Sequence, residues 1–278
     1  MLNNYSNFNL TLIRNQNISF DGIRDSAEKR LLYDPSTKIT PIPPDANIEK
    51  ISIPTANNGE IKCYYRAPKP GMPTVMFCHG IKYNASYFVG EMPEFLINKD
   101  SEKGYGLLIT DYRGFGESTP INPSEKTIYE DAHSAIKFLN KNKITPDNIV
   151  IWGMSMGGGV ASELAIKYNF KGVILDSTFT TMGDAVNKHC EKIPGHRHIG
   201  KFLQSKFENI KKMKDIKVPV LILHTKTDNV VPLDMAYRNY EALKNSGNSN
   251  VTMFLNEKGD HNDMKWKAQA ISEFLSKL

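Results

Sequence analysis

Short apolar runs alternate along the chain with longer stretches in which apolar positions recur every three or four residues. The runs Thr74 to Cys78, Gly106 to Thr110, Asn148 to Trp152, Gly172 to Leu175, Val218 to His224 and Val251 to Leu255 are apolar almost without interruption. Strands covered on both faces have this character, whereas half-exposed strands alternate apolar with polar. Thr127 to Asn140 places Ile128, Ala132, Ala135, Ile136 and Leu139 on one face, the stripe of a helix packed on such a sheet. The alternation predicts right-handed crossovers and an α/β fold.

The flanks differ. Ile48 to Ile53 and Ile61 to Arg66 bracket Asn57-Asn58-Gly59, which predicts an antiparallel hairpin because Asn-Gly tolerates the positive φ of a tight turn. Residues 1–47, rich in Asn, Ser and Pro, predict an irregular lead-in with one short helix near Ser26 to Tyr33, leaving a domain at 48–278. About forty residues separate the strand ending at Leu175 from the one starting at Val218, far more than a helix and its joints need. A lid is therefore expected at 178–216, with Phe202, Leu203 and Phe207 setting acyl preference.

Bulk properties narrow the partners. A chain of 278 residues, 40% hydrophobic and 23% charged, fits one globular domain. The net charge of +5 comes from scattered lysines, and the one cluster, Lys211, Lys212, Lys214 and Lys217, is expected to be a solvated surface, so no nucleic-acid partner is expected. Cys63, Cys78 and Cys190 are too few and too scattered for a disulfide framework, which points to a reducing, cytoplasmic compartment. The first residues lack a basic segment followed by an apolar run, and no stretch approaches the ~20 apolar residues of a spanning helix, so neither secretion nor stable membrane insertion is expected.

Gly153-Met154-Ser155-Met156-Gly157 follows a strand and opens a helix through Val160 and Leu164. A sharp strand–turn–helix of this kind presents the central serine at a helix N-terminus, and the flanking glycines let the backbone fold tightly. Serine is a poor nucleophile without a base and an orienting acid. Asp228 lies in the loop after the strand Val218 to His224, and His261 follows the last strand, giving the order Ser, Asp, His. Asp176, at another strand end, is the alternative acid. Of the other histidines, His133 falls in a helix and His224 at a strand end, while His189, His196 and His198 lie in the insertion without a Cys or carboxylate pair to complete a metal site. No metal or cofactor is expected. The Met156 amide and that of Ile81, or of Lys82 if the loop winds differently, are candidates for the oxyanion hole, with His79 supporting that loop.

These residues resemble the α/β-hydrolase superfamily from about Glu28 onward. His79-Gly80, Asp111 to Ser118, Gly153 to Gly158, Val173 to Ser177, Asp228 to Pro232 and Gly259 to Asp263 occur in that family's order. Lys29-Arg30-Leu31-Leu32-Tyr33-Asp34-Pro35 and Gly-Asp-His-Asn-Asp are similar to the serine aminopeptidase-like and depalmitoylase-like branch. The resemblance implies eight mostly parallel strands, the second antiparallel, with helices on both faces. The Cys-rich or apolar anchor of the eukaryotic depalmitoylases is not expected here.

The expected activity is serine hydrolysis of a small or acyl-chain ester or thioester through an acyl-enzyme, with Ser155, His261 and Asp228 as triad. A peptidase acting on short peptides uses the same triad, and a catalytically idle binding module can share the fold. Dehalogenase chemistry needs a carboxylate where Ser155 stands.

Overall fold

The computed structural model describes residues 32–98, 103–191 and 200–278. Nearly all of the helix expected near Ser26 to Tyr33 lies outside them, as do His196 and His198. The strands are β1 (Asp34–Pro35), β2 (Glu49–Pro54), β3 (Glu60–Arg66), β4 (Thr74–Cys78), β5 (Lys82–Tyr83), β6 (Gly106–Thr110), β7 (Ile149–Met154), β8 (Gly172–Asp176), β9 (Val220–Thr225) and β10 (Val251–Asn256). Eight of them form one sheet in the order β10-β9-β8-β7-β4-β6-β3-β2. β3 runs antiparallel to β2 and β6, and the remaining pairs are parallel.

The uninterrupted apolar runs have a direct cause: every residue of β4, β6, β7, β8 and β9 is buried. Side chains alternate between two cores. Met76, Ile151 and Val173 pack with the helices Glu125–Lys141, Met156–Ala165 and Leu233–Asn245 on one face. Phe77, Trp152 and Ile174 pack on the other with the helices Ala85–Glu91 and Lys267–Ser276. This is the α/β-hydrolase architecture that the resemblance implies.

Local differences have physical reasons. At the hairpin, Asn57 and Asn58 take positive φ while Gly59 is extended. Gly59 is needed for space, since a Cβ there would lie 2.9 Å from both Arg113 Cδ and Thr55 Oγ1. The helix expected over Thr127 to Asn140 starts at Glu125, where a reciprocal cap between Ser124 and Thr127 satisfies its first amides. The last helix starts at Lys267, after turns closed by Asp263 N–H to Asp260 O and Lys267 N–H to Met264 O.

Within the span 178–216 the described residues carry the helices Met182–His189 and Asn209–Met213. Two of the three side chains assigned to acyl choice are core instead. Leu203 is buried, and Phe207 packs on Tyr129 at 5.6 Å and fills the space a side chain on Gly159 would occupy. Phe202 is 64% exposed. Among the described residues no helix is long and apolar enough to cross a membrane. All three cysteines are free and buried.

Candidate active site

Ser155 joins the end of β7 to the helix Met156–Ala165 with φ 53° and ψ −117°, a conformation unfavourable for a residue with a side chain. Three hydrogen bonds hold it there: its N–H donates to Asp176 O (2.8 Å), and its carbonyl accepts from Thr178 Oγ1 (2.7 Å) and Gly158 N–H (3.0 Å). A Cβ on Gly157 would collide with the Cys78 carbonyl, and one on Gly153 with that of Gly157. The two glycines thus let the helix start against β4 and β7, and the serine stays at the carboxyl edge, 8% exposed.

Asp228 uses its two oxygens differently. Oδ1 accepts the amides of Val230 and Val231, both at 2.8 Å. Oδ2 accepts from His261 Nδ1 at 2.8 Å. An ionised carboxylate only accepts, so Nδ1 of His261 carries a proton, and it is Nε2 that holds the lone pair when the ring is neutral. Burial pushes the Asp228 carboxyl up, but the His261 bond and charge and the two amides outweigh it and hold Asp228 below the ordinary carboxylate range.

A second histidine braces this loop. His224, fully buried, points Nε2 at Val231 O at 3.0 Å and lies 3.7 Å from Asp228 Oδ2. Since a carbonyl only accepts, Nε2 carries the proton. Burial lowers the His224 pKa, against the opposing pull of Asp228 and the Val231 bond. Sequence reading placed His224 only at a strand end; its spacing of four from Asp228 and seven from Val231 was the usable signal.

The structure joins Asp228 to His261 and puts Ser155 on the same edge of the sheet. Between the Ser155 hydroxyl and His261, both described residues, there is no hydrogen bond in this resting arrangement. Asp176 is engaged elsewhere: Lys267 Nζ lies 2.8 and 2.9 Å from its two oxygens, and Trp152 Nε1 donates to Oδ2 at 3.1 Å.

The loop carrying Ile81 passes against Ser155, because a Cβ on Gly80 would lie 3.2 Å from Ser155 Cβ. Among the described residues, neither the Ile81 nor the Met156 amide donates to a protein acceptor. His79 lies under the loop, fully buried, with Nδ1 on Gly80 O (2.8 Å) and Nε2 on Asp111 Oδ1 (3.0 Å), and Tyr112 donates its hydroxyl to the His79 carbonyl at 3.2 Å. The loop support expected of His79 is the geometry found, and Asp111 explains part of the Asp111 to Ser118 block. Arg113 explains more, donating to Asp131 Oδ1 at 2.6 Å and Glu130 Oε2 at 2.8 Å to tie the turn after β6 to the helix Glu125–Lys141.

The segment before the sheet domain packs on the loop that carries Ile81, although it reads as an irregular lead-in. β1 pairs with β5, and Asp34 N–H donates to Ile81 O at 3.1 Å. Asn84, 1% exposed, donates to Ser36 O (2.8 Å) and Lys38 O (3.0 Å) and accepts from Ser86 N–H (3.0 Å), capping the helix Ala85–Glu91. Removing a cap and two part-buried bonds is expected to cost about 2 kcal/mol, so Asn84→Ala should unfold at lower urea. An unchanged midpoint would show that the strap is held by other contacts.

A model described as α/β hydrolase fold matches residues 73–191, and one described as Phospholipase/Carboxylesterase matches 198–278. The chain is 31% identical over 219 residues to protein YfhR of Salmonella typhimurium, covering 72% of this chain and 70% of that one. It is 30% identical over 203 residues to the lysophosphatidylserine lipase ABHD12 of Danio rerio, covering 67% of this chain and 51%, about half, of that relative. Among solved structures, the Pyrococcus furiosus esterase Pf2001 superposes with a TM-score of 0.71 at 19% identity, covering 88% of this chain and 98% of the esterase, a likeness of fold. By sheet order, family match and relatives together, the chain belongs to the α/β-hydrolase superfamily and is a hydrolase with esterase and lipase relatives.

Proposed function

We propose that the protein is a serine hydrolase that cleaves an ester or thioester of a small or acyl-chain substrate through an acyl-enzyme. The observation that carries this reading is the Asp228–His261 bond, which turns Nδ1 to the carboxylate and frees Nε2 for a second partner, on the sheet edge whose serine is held in a strained turn at a helix N-terminus. In this mechanism the Ser155 hydroxyl comes to Nε2 of His261, which completes the relay. Oγ then attacks the carbonyl carbon as Nε2 takes its proton, and the carbonyl π pair moves onto oxygen. The amides of Ile81 and Met156 stabilise that oxyanion, each by about 3 kcal/mol of barrier. Collapse breaks the carbonyl bond to the alcohol or thiol, which leaves with the proton from His261. Water then attacks the acyl-serine by the same route, releasing the acid.

The acyl-ester preference is supported by the carboxylesterase match over 198–278 and by the lipase among the relatives. A cavity of about 290 Å³ between Lys188 and His189 of the insertion and the Asp228 to Pro232 loop offers space for part of the substrate, which is the role proposed for the span 178–216. Three free buried cysteines fit a reducing, cytoplasmic setting. A fluorophosphonate probe should label the peptide containing Ser155 and block turnover of nitrophenyl esters in step. Full inhibition with the label elsewhere would end the assignment.

A further inference from the structure

Lys267 is a lysine with no exposed surface, the first residue of the helix Lys267–Ser276 and only a few positions past His261. Its partner Asp176 is equally buried. A buried ion pair is poor proof of a stability role, because desolvating two charges offsets their attraction and well-packed apolar replacements often do as well. What such a pair supplies here is a defined distance, since an ammonium held by both carboxylate oxygens, with the Met264 sulfur at 3.7 Å, has little freedom to slide.

Asp176 is bonded in two directions. Its main-chain carbonyl accepts the N–H of Ser155. Its side chain holds the residue that ends the His261 loop. The other end of that loop is fastened to the acid's loop, where Gly259 N–H donates to Thr227 Oγ1 (3.0 Å) and Thr227 Oγ1 donates to Gly259 O (2.9 Å). The segment bearing His261 therefore has one anchor beside Asp228 and one on the residue that carries the nucleophile's peptide. We propose that Lys267 is a positioning residue, and that its pair with Asp176 sets the separation of His261 from Ser155. This rests on the reading of those two as base and nucleophile.

Lys267→Met alone strands the Asp176 carboxylate in the core and is expected to reduce folded yield. The deciding variant is Asp176→Asn with Lys267→Met, which removes both charges, keeps the volumes and leaves an acceptor for Trp152. It should melt near the wild type, with KM within about twofold, while kcat falls roughly ten- to a hundredfold because the base is misplaced. Amide exchange across 257–266 should quicken. Unchanged exchange, wild-type kcat or failure to fold would each overturn the proposal, the last because the pair would then serve the fold alone. Ser155→Ala in the same assay separates the two ideas: retained turnover there ends the serine reading, and the exchange result by itself then decides whether Lys267 anchors the loop.

Discussion

Ester turnover by Ser155→Ala falls by about 10⁶-fold while the melting temperature stays where it was, which is the largest effect expected of any single change. The two halves of that result have separate causes. Alanine keeps the Cβ, so the φ of 53° is no harder to hold, and the three bonds fixing the turn are made by Asp176, Thr178 and Gly158 to the main chain at 155. Only the hydroxyl is lost. His261→Ala should cost about as much alone, and the double variant scarcely more, because the two act as one unit. A Ser155→Ala enzyme with a hundredth or more of wild-type kcat would remove the nucleophile from the scheme.

Asp228→Asn should lower kcat by about 10⁴-fold, and the route to that loss can be traced atom by atom. The carboxylate serves the Val230 and Val231 amides with Oδ1 and His261 with Oδ2. Asparagine has one acceptor oxygen. If that oxygen keeps the two amides, the NH₂ group faces Nδ1, which must then be a lone pair, and the imidazole proton moves to Nε2. The nucleophile's proton then has no acceptor. Asp176→Asn leaves this tautomer alone and should cost far less activity, its effect coming from the unpaired Lys267. Steady-state kcat for both variants on one ester tests the ranking, and a larger loss at 176 would transfer the acid's role.

The strands and the sharp turn at Ser155 were legible in sequence because each leaves a local mark. Burial on both faces writes an unbroken apolar run, as in Thr74 to Cys78, and the collision at Gly157 demands glycine. The pairing of Asp228 with His261 was readable too, since a strand-end loop need only supply the right residue. What sequence could not convey were contacts without periodicity. The strap at Asp34 to Lys38 has no pattern of its own because it is held by hydrogen bonds to Asn84 and Ile81, not by an apolar face. Lys267 reads as one more lysine in a chain with many, and only the neighbouring strand shows that it is enclosed. Phe207 was misjudged because an apolar residue in an insertion can point into the core as readily as toward substrate.

The strap also constrains the order in which the molecule is completed. Its hydrogen-bond partners stand on the loops that follow β4 and β6, through Ile81, Asn84 and Gly116, and those loops take shape only when the parallel strands have paired. Closing contacts so distant along the chain is slow compared with forming local helices. The stretch from Asp34 to Lys38 is thus expected to dock late, and the loop carrying Ile81 gains its partner strand only after the sheet beneath it has assembled.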